Sequence, residues 1–307
     1  MNEARNPVLA SQNEPSQLER LAAKTYTYGC AERVQILQAV LPALSALVWP
    51  IVLFFDPSFK VWAAFSGLVL PLLDTFVLDP LQKIYKTQAA KTLELFDCEV
   101  LVLAWNELKA TSKPTPESIG EAASKFAREN ADNSKLRDWY PIDIAPLPLH
   151  LARIICQRSN CWWNGKLRRR YSYWLLTAIA AAGVLAIVLA LVGGLTLEDF
   201  ILAILAPLSP AFFWGFREFR RQRHTADESE RLLHFADKLW GDATTEKITV
   251  EKAEQASRAL QDEIYEGRKT NPLYPSALYG WARDVNEDLM KKGAQEMVRS
   301  YLARRRS

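Results

Sequence analysis

The chain has 307 residues, 38 basic and 35 acidic, and a net charge of +3, which is too even a balance to argue for DNA or RNA duplex as a partner. Mean hydropathy is an unremarkable −0.10 although 49% of the residues are apolar, so the apolar material is gathered in blocks and the remainder is strongly polar, the profile of an anchored protein with much polar mass. Cys30, Cys98, Cys156 and Cys161 have neither CxxC spacing nor a histidine pair beside them, which argues against a disulfide framework or a zinc site and for reduced thiols.

In chain order, residues 1–15 hold Asn, Glu, Gln and Pro with little apolar content. They predict a loose tail and no cleavable signal. Ser16 with Glu19 makes a capping box, and the helix it opens carries Leu18, Leu21 and Ala22 on one face. Ile36 to Phe55 is a first candidate membrane span, with Pro42 and Pro50 as kinks that lipid tolerates better than water does. Asp56 to Lys60 reads as a tight turn, and Val61 to Leu78 as the returning second span. Leu93, Phe96, Val100 and Leu103 then repeat at helical spacing, so a polar-side helix is expected to run to about Thr111. In that reading Trp105 is a packing residue and Asn106 a C-cap.

Thr115 caps the next helix, with Pro116 at its first position and Ile119, Ala122, Ala123, Phe126 and Ala127 on one face. The Pro-rich run Asp138 to Pro148 predicts a packed, extended loop. From Leu149 a helix leads onward, with Arg153, Gln157, Asn160, Asn164 and Arg168 at intervals of four, three, four and four, a single polar stripe. Tyr173 to Val192 follows without a charge in any register. At 1.5 Å per residue it reaches about 30 Å, the thickness of a bilayer's hydrocarbon core, and it predicts the third span. Phe200 to Phe216, with Pro207 and Pro210, is the fourth, stopped by Arg217, Arg220, Arg221 and Arg223. Three amphipathic helices complete the chain, the first ending before Gly241, the second before Gly267, and the third starting near Leu278. Nothing reads as a sheet.

The expected fold is therefore all-α: an integral membrane protein with four transmembrane helices in two hairpins and a cytoplasmic helical domain. Its division is a tail over 1–15, a first hairpin with its leading helix over 16–82, a helical linker over 83–171, a second hairpin over 172–217 and a helical region over 218–307. Lys83, Lys86, Lys166, Arg168, Arg169, Arg170 and the Arg217 to Arg223 cluster all fall on the side shared by both termini, while the opposite turns hold only Lys60. By the excess of positive charge inside, both termini are cytoplasmic and the protein is multi-pass in an inner membrane. Tyr173, Trp174, Trp214 and Phe216 mark an inner aromatic belt, Trp49 and Trp62 an outer one.

The runs LFDCEVLVLAWN (Leu95 to Asn106), DWYP (Asp138 to Pro141) and LPLHLARIICQRSNCWWNGKLRRRY (Leu147 to Tyr171) resemble the SMODS-associating four-transmembrane effector family of bacteria. Gln261 to Met290 is similar to that family's carboxyl-terminal signature, departing from it at Tyr274 to Ala277, where an Asp-Trp pair is expected. The resemblance extends from about Leu18 to Met290. It implies an antiphage membrane effector, encoded beside a nucleotidyltransferase, activated by a cyclic oligonucleotide and forming a pore or disrupting the membrane as a homo-oligomer.

A signal of that kind needs cationic forks for phosphate and flat side chains for bases. Arg153, Arg158, Asn160, Trp163, Asn164, Arg168 and Tyr140 are the candidates, with Trp105 and Asn106 as walls of the same pocket. The competing reading has the arginines meeting lipid phosphates and the tryptophans sitting at the interface. Asp74, an acid inside the second span, costs roughly 2.5 to 3.5 kcal/mol at mid-bilayer and less near its edge; it either lines an ion path or pairs with an interfacial Arg. No GxSxG, HExxH, Walker or GxGxxG motif is present, so no enzyme, cofactor or metal is expected. The alternative function is a non-conducting membrane scaffold or sensor that recruits a soluble partner through its helices.

Overall fold

The computed structural model describes residues 6–130, 134–194, 196–201 and 205–306. Among these there is no strand. The helices are α1 (Val8–Ser11), α2 (Pro15–Phe55), α3 (Lys60–Leu73), α4 (Asp79–Val100), α5 (Glu107–Ala110), α6 (Pro116–Glu129), α7 (Leu149–Val192), α8 (Leu197–Phe200), α9 (Ala206–Thr244), α10 (Val250–Thr270) and α11 (Ser276–Arg306). A π turn over Asp74–Leu78 joins α3 to α4, and Pro57–Phe59 is a single 3-10 turn whose first amide is capped by Asp56, Ser58 N donating at 2.9 Å.

The core lies at one end of the long rods. Leu21 and Ala22 of α2, Phe96 and Val100 of α4, Phe126 of α6, Leu151 to Cys156 of α7, Leu239 of α9 and Val298 of α11 are buried together around Tyr140, Ile144 and Leu147 of the proline-rich loop. The loop thus packs as its composition predicts, but it is not extended throughout, since Ile142–Ile144 forms a 3-10 turn. Pro116 and Thr115 begin α6 as expected, Ser118 N donating to Thr115 Oγ1.

Away from that core the rods are apolar and bare. Two helical stretches, Pro57–Val100 and Leu149–Val192, are long and apolar enough to cross a membrane, and only 6% of the most apolar window is buried in either. A soluble core helix of that composition would be mostly covered. Phe55 is 80% exposed, Val61 75% and Val192 83%. The fourth apolar stretch includes residues 202–204, which lie outside the described residues.

α7 and α9 run antiparallel in close contact, and two glycines allow it. A Cβ at Gly165 would stand 3.3 Å from Ser229 Cβ, and one at Gly215 3.1 Å from Ile179 Cδ1. Both distances are tighter than ordinary van der Waals contact.

Several expectations change. The tail is not loose from Asn6 onward: Asn6 Nδ2 donates to Ile144 O, Gln12 exchanges bonds with the Tyr140 backbone, and Val8 is fully buried. Residues 1–5 lie outside the described residues. Ser16 caps nothing, because Pro15 already occupies the first turn of α2 after an extended Glu14.

α4 stops at Val100 rather than near Thr111, since Val102 takes a left-handed φ of 53° and Arg153 holds the carbonyls of Leu101 and Val102. Leu103 therefore falls beyond the helix. Asn106 is an N-cap, not a C-cap: its Oδ1 accepts from Leu108 N and opens α5. α9 runs on from the fourth apolar stretch through Gly241, and α10 likewise passes through Gly267 to a cap at Asn271, so neither glycine marks the helix end expected of it. All four cysteines are free, and three are buried.

Candidate functional site

The stripe of α7 faces inward. Every member is buried or half-buried, and each side chain meets a partner outside α7. Arg153 forks onto Leu101 O (2.5 Å), Val102 O (2.6 Å) and Glu254 Oε1 (2.9 Å). Gln157 Nε2 donates to Ser257 O at 2.8 Å and accepts from Ser257 Oγ. Arg158, one position off the stripe, donates to Asp237 Oδ1 at 2.5 Å. Asn160 Nδ2 donates to the Tyr140 hydroxyl at 3.3 Å, and Asn164 Nδ2 to Ser229 Oγ at 2.8 Å. Arg168 donates to Asn164 Oδ1 (2.8 Å), Gln222 Oε1 (2.7 Å) and Pro272 O (2.7 Å), with the Tyr274 ring 5.2 Å from its guanidinium carbon. All three arginines meet protein groups in this structure.

The stripe leads to a charge network that the sequence reading missed. Asp97 of α4 is fully buried and accepts from the Tyr140 hydroxyl (2.6 Å), Gln261 Nε2 (2.8 Å) and Arg268 Nη1 (2.5 Å). One turn earlier, Glu94 accepts from Gln261 Nε2 and Arg258 Nη2, both at 2.8 Å. Burial first, and then the neighbouring Asp97, raises the Glu94 carboxyl above its ordinary value. Burial likewise raises the Tyr140 phenol, Asp97 adding to it. Although burial opposes it, Asp97 holds Arg268 firmly charged. The spacing of Glu94 and Asp97, three apart on one helix face, is the signal for it in the sequence. Glu99 points elsewhere, to Arg20 and Gln17.

Tyr140 and Asn160 thus share one chain of hydrogen bonds with Asp97, and Asn164 joins Arg168. Trp105 and Asn106 sit on the far side of α10's contact with α4: Trp105 Nε1 donates to Thr111 O, its ring packs by Ala90, Ala110 and Tyr265, and Asn106 Nδ2 donates to Asp262. Trp163 is half-buried on α7. Asp74 stands apart at the π turn, accepting from Gln38 Nε2 of α2 at 2.8 Å, so its partner is an amide rather than an arginine.

Moving along the seam, the balance of charge turns positive. Around Asp97 acids and cations match, whereas beside Arg168 stands Lys86, 6% exposed, donating to Thr270 O at 3.2 Å. Burial, and then the charges of Arg221 and Arg168, push the Lys86 ammonium down to about 8; burial pushes Arg168 down to about 10. No cluster of three or more His, Cys, Asp or Glu side chains among the described residues could hold a metal.

The fold is that of an all-helical, membrane-associated protein in which a buried polar seam joins a helical core to bare apolar rods. The SMODS-associating 4TM effector domain matches residues 6–297, and the chain belongs to that family, which makes it an antiphage defence effector of a family not known as a class of enzymes. A protein of Bacillus cereus (strain VD146) described as a probable CBASS effector molecule is 27% identical over 295 residues, covering 92% of this chain and 94% of that one. No solved structure matches the present chain.

Proposed function

We propose that the protein senses a cyclic oligonucleotide through its polar domain and, as a homo-oligomer, opens or disrupts the bacterial inner membrane to arrest an infected cell. The observation that carries this is the continuity of α7, which passes from the buried seam at Arg153 to Arg168 into the bare rod ending at Val192 without a break. Ligand binding at one end can then favour a different arrangement of the other, provided the ligand binds that arrangement more tightly. Family membership supports the signalling input, and the relative described as a probable CBASS effector agrees with it.

In this reading residues 16–82 and 172–217 are two membrane hairpins with both termini cytoplasmic, residues 83–171 and 218–307 form the sensing domain, and Asp74 with Gln38 lines the path. A cleft of about 640 Å³ supports the membrane placement: along α9 its lining passes from Phe213, Trp214 and Phe216 to Arg217, Arg220, Arg221 and His224, the order expected where acyl chains give way to headgroups. Dye-loaded liposomes carrying the full chain test the proposal. Cyclic di- or trinucleotides are expected to release the dye; ligand binding without release favours the scaffold reading instead.

A further inference from the structure

Among the described residues, most buried or half-buried arginines of the seam have a carboxylate partner: Arg153 has Glu254, Arg158 has Asp237, Arg258 has Glu94 and Asp262, and Arg268 has Asp97. Lys86 and Arg168 do not. Both are about as buried as Arg153, and both end on neutral oxygens of one short joint, Thr270 O and Pro272 O, between α10 and α11. Gln222 holds a third carbonyl of that joint, Leu273 O, at 2.9 Å. The acid nearby, Glu218, lies 3.6 Å from Arg221 and accepts from Gln222 at 2.7 Å, so it is already engaged. Asp79 is engaged by Lys83 at 2.6 Å.

A helix C-terminus offers roughly half a negative charge, against two full positive ones here. Two buried cations without a counter-ion are costly. A phosphodiester oxygen, ionised and able to accept from a guanidinium fork and an ammonium together, is a stronger acceptor than a peptide carbonyl.

We propose that Lys86 and Arg168 form a binding site for a phosphodiester anion, and that the carbonyls of the Thr270 to Leu273 joint fill this site when the anion is absent. Arrival of the anion draws both cations off Thr270 O and Pro272 O and frees the connection between α10 and α11. The ring of Tyr274, already against Arg168, lies where it flanks the incoming group. This deepens the proposed function by locating the phosphates of the signal, and it rests on that reading only for the source of the anion. An anionic phospholipid headgroup carries the same group.

The test uses the full chain in a neutral detergent and follows its thermal unfolding midpoint. Probes are a panel of cyclic di- and trinucleotides and, separately, phosphatidylglycerol in mixed micelles. The wild-type midpoint is expected to rise with at least one probe. Lys86→Met and Arg168→Gln are expected to unfold at or above the wild-type temperature without anion, because each removes an unmatched charge, and to need at least tenfold more anion for the same rise. Lys86→Arg restores the response, and Lys125→Met, which removes an exposed cation, leaves it unchanged. A response only to phosphatidylglycerol that Lys86→Met abolishes supports the site and removes the nucleotide reading. Nucleotide responses that are undiminished in both variants overturn the site and leave that reading standing, and a wild type that responds to neither probe also overturns the site.

Discussion

Asp97 sees no water, and its two oxygens are shared among a phenol, an amide and a guanidinium. Removing one member of a matched buried pair leaves the other charged and unpaired, which typically costs 3–5 kcal/mol. Asp97→Asn is therefore expected to destabilise the folded chain by about that amount in denaturant titration. Arg268→Met should do the same, and the double variant should cost less than the sum. Lys86 gives the opposite sign. Its folded value of about 8 lies below its ordinary 10.5, so between those values the unfolded chain binds a proton that the folded chain does not, and the penalty fades as pH rises. Lys86→Met is expected to exceed wild type in stability at pH 7, and the gap should close between about pH 8 and 10.5. Thiols and tyrosines titrating in the same range are common to both proteins and cancel in the difference.

The stripe of α7 was legible in the sequence as a period; what it faces was not. Arg153 reaches carbonyls 51 and 52 residues away, and such partners leave no mark on local spacing. Glu94 and Asp97 were obscured for a related reason. They stand between Leu93, Phe96 and Val100, where an acid ordinarily faces water, and only the arrival of α10 turns that face into an interior.

At the scale of elements, the apolar runs marked where rods are bare but misplaced where helices end. Backbone hydrogen bonding in a helix is internal, so a helix is indifferent to the surface at which lipid composition gives way to charge. α9 accordingly continues past Arg217, and α4 ends where a side chain from α7 takes the two carbonyls that follow it. The glycines separate two roles. Gly165→Val, placed against Ser229 and Ala226 O, is expected to lower stability by about 1–3 kcal/mol through overpacking. Gly241→Ala, with nothing within 4 Å of the added carbon in the last turn of α9, is expected to raise it by about 0.5 kcal/mol. Paired unfolding curves check both.

For the molecule as a whole, polarity is divided lengthwise. One end carries a core built from α2, α4, α6, α7, α9 and α11, and the other exposes Phe55, Val61, Phe65, Leu68, Val184, Leu185, Leu191 and Val192. Bare apolar surface on that scale is not stable in water. The protein is expected to stay with the membrane pellet after alkaline carbonate washing and to aggregate when detergent is withdrawn, whereas recovery in the soluble fraction would contradict the reading of these rods.

α9 keeps its 39 residues in one piece from Ala206 to Thr244, about 58 Å at helical rise, with Leu239 anchored among the core side chains and Phe213 bare near the opposite tip. An unbroken strut does not absorb a tilt; it magnifies it. A swing of about 10° around the anchored foot would carry the far tip roughly 10 Å sideways, so a rearrangement of a few ångströms among side chains near Gln222 becomes a displacement as wide as a neighbouring helix.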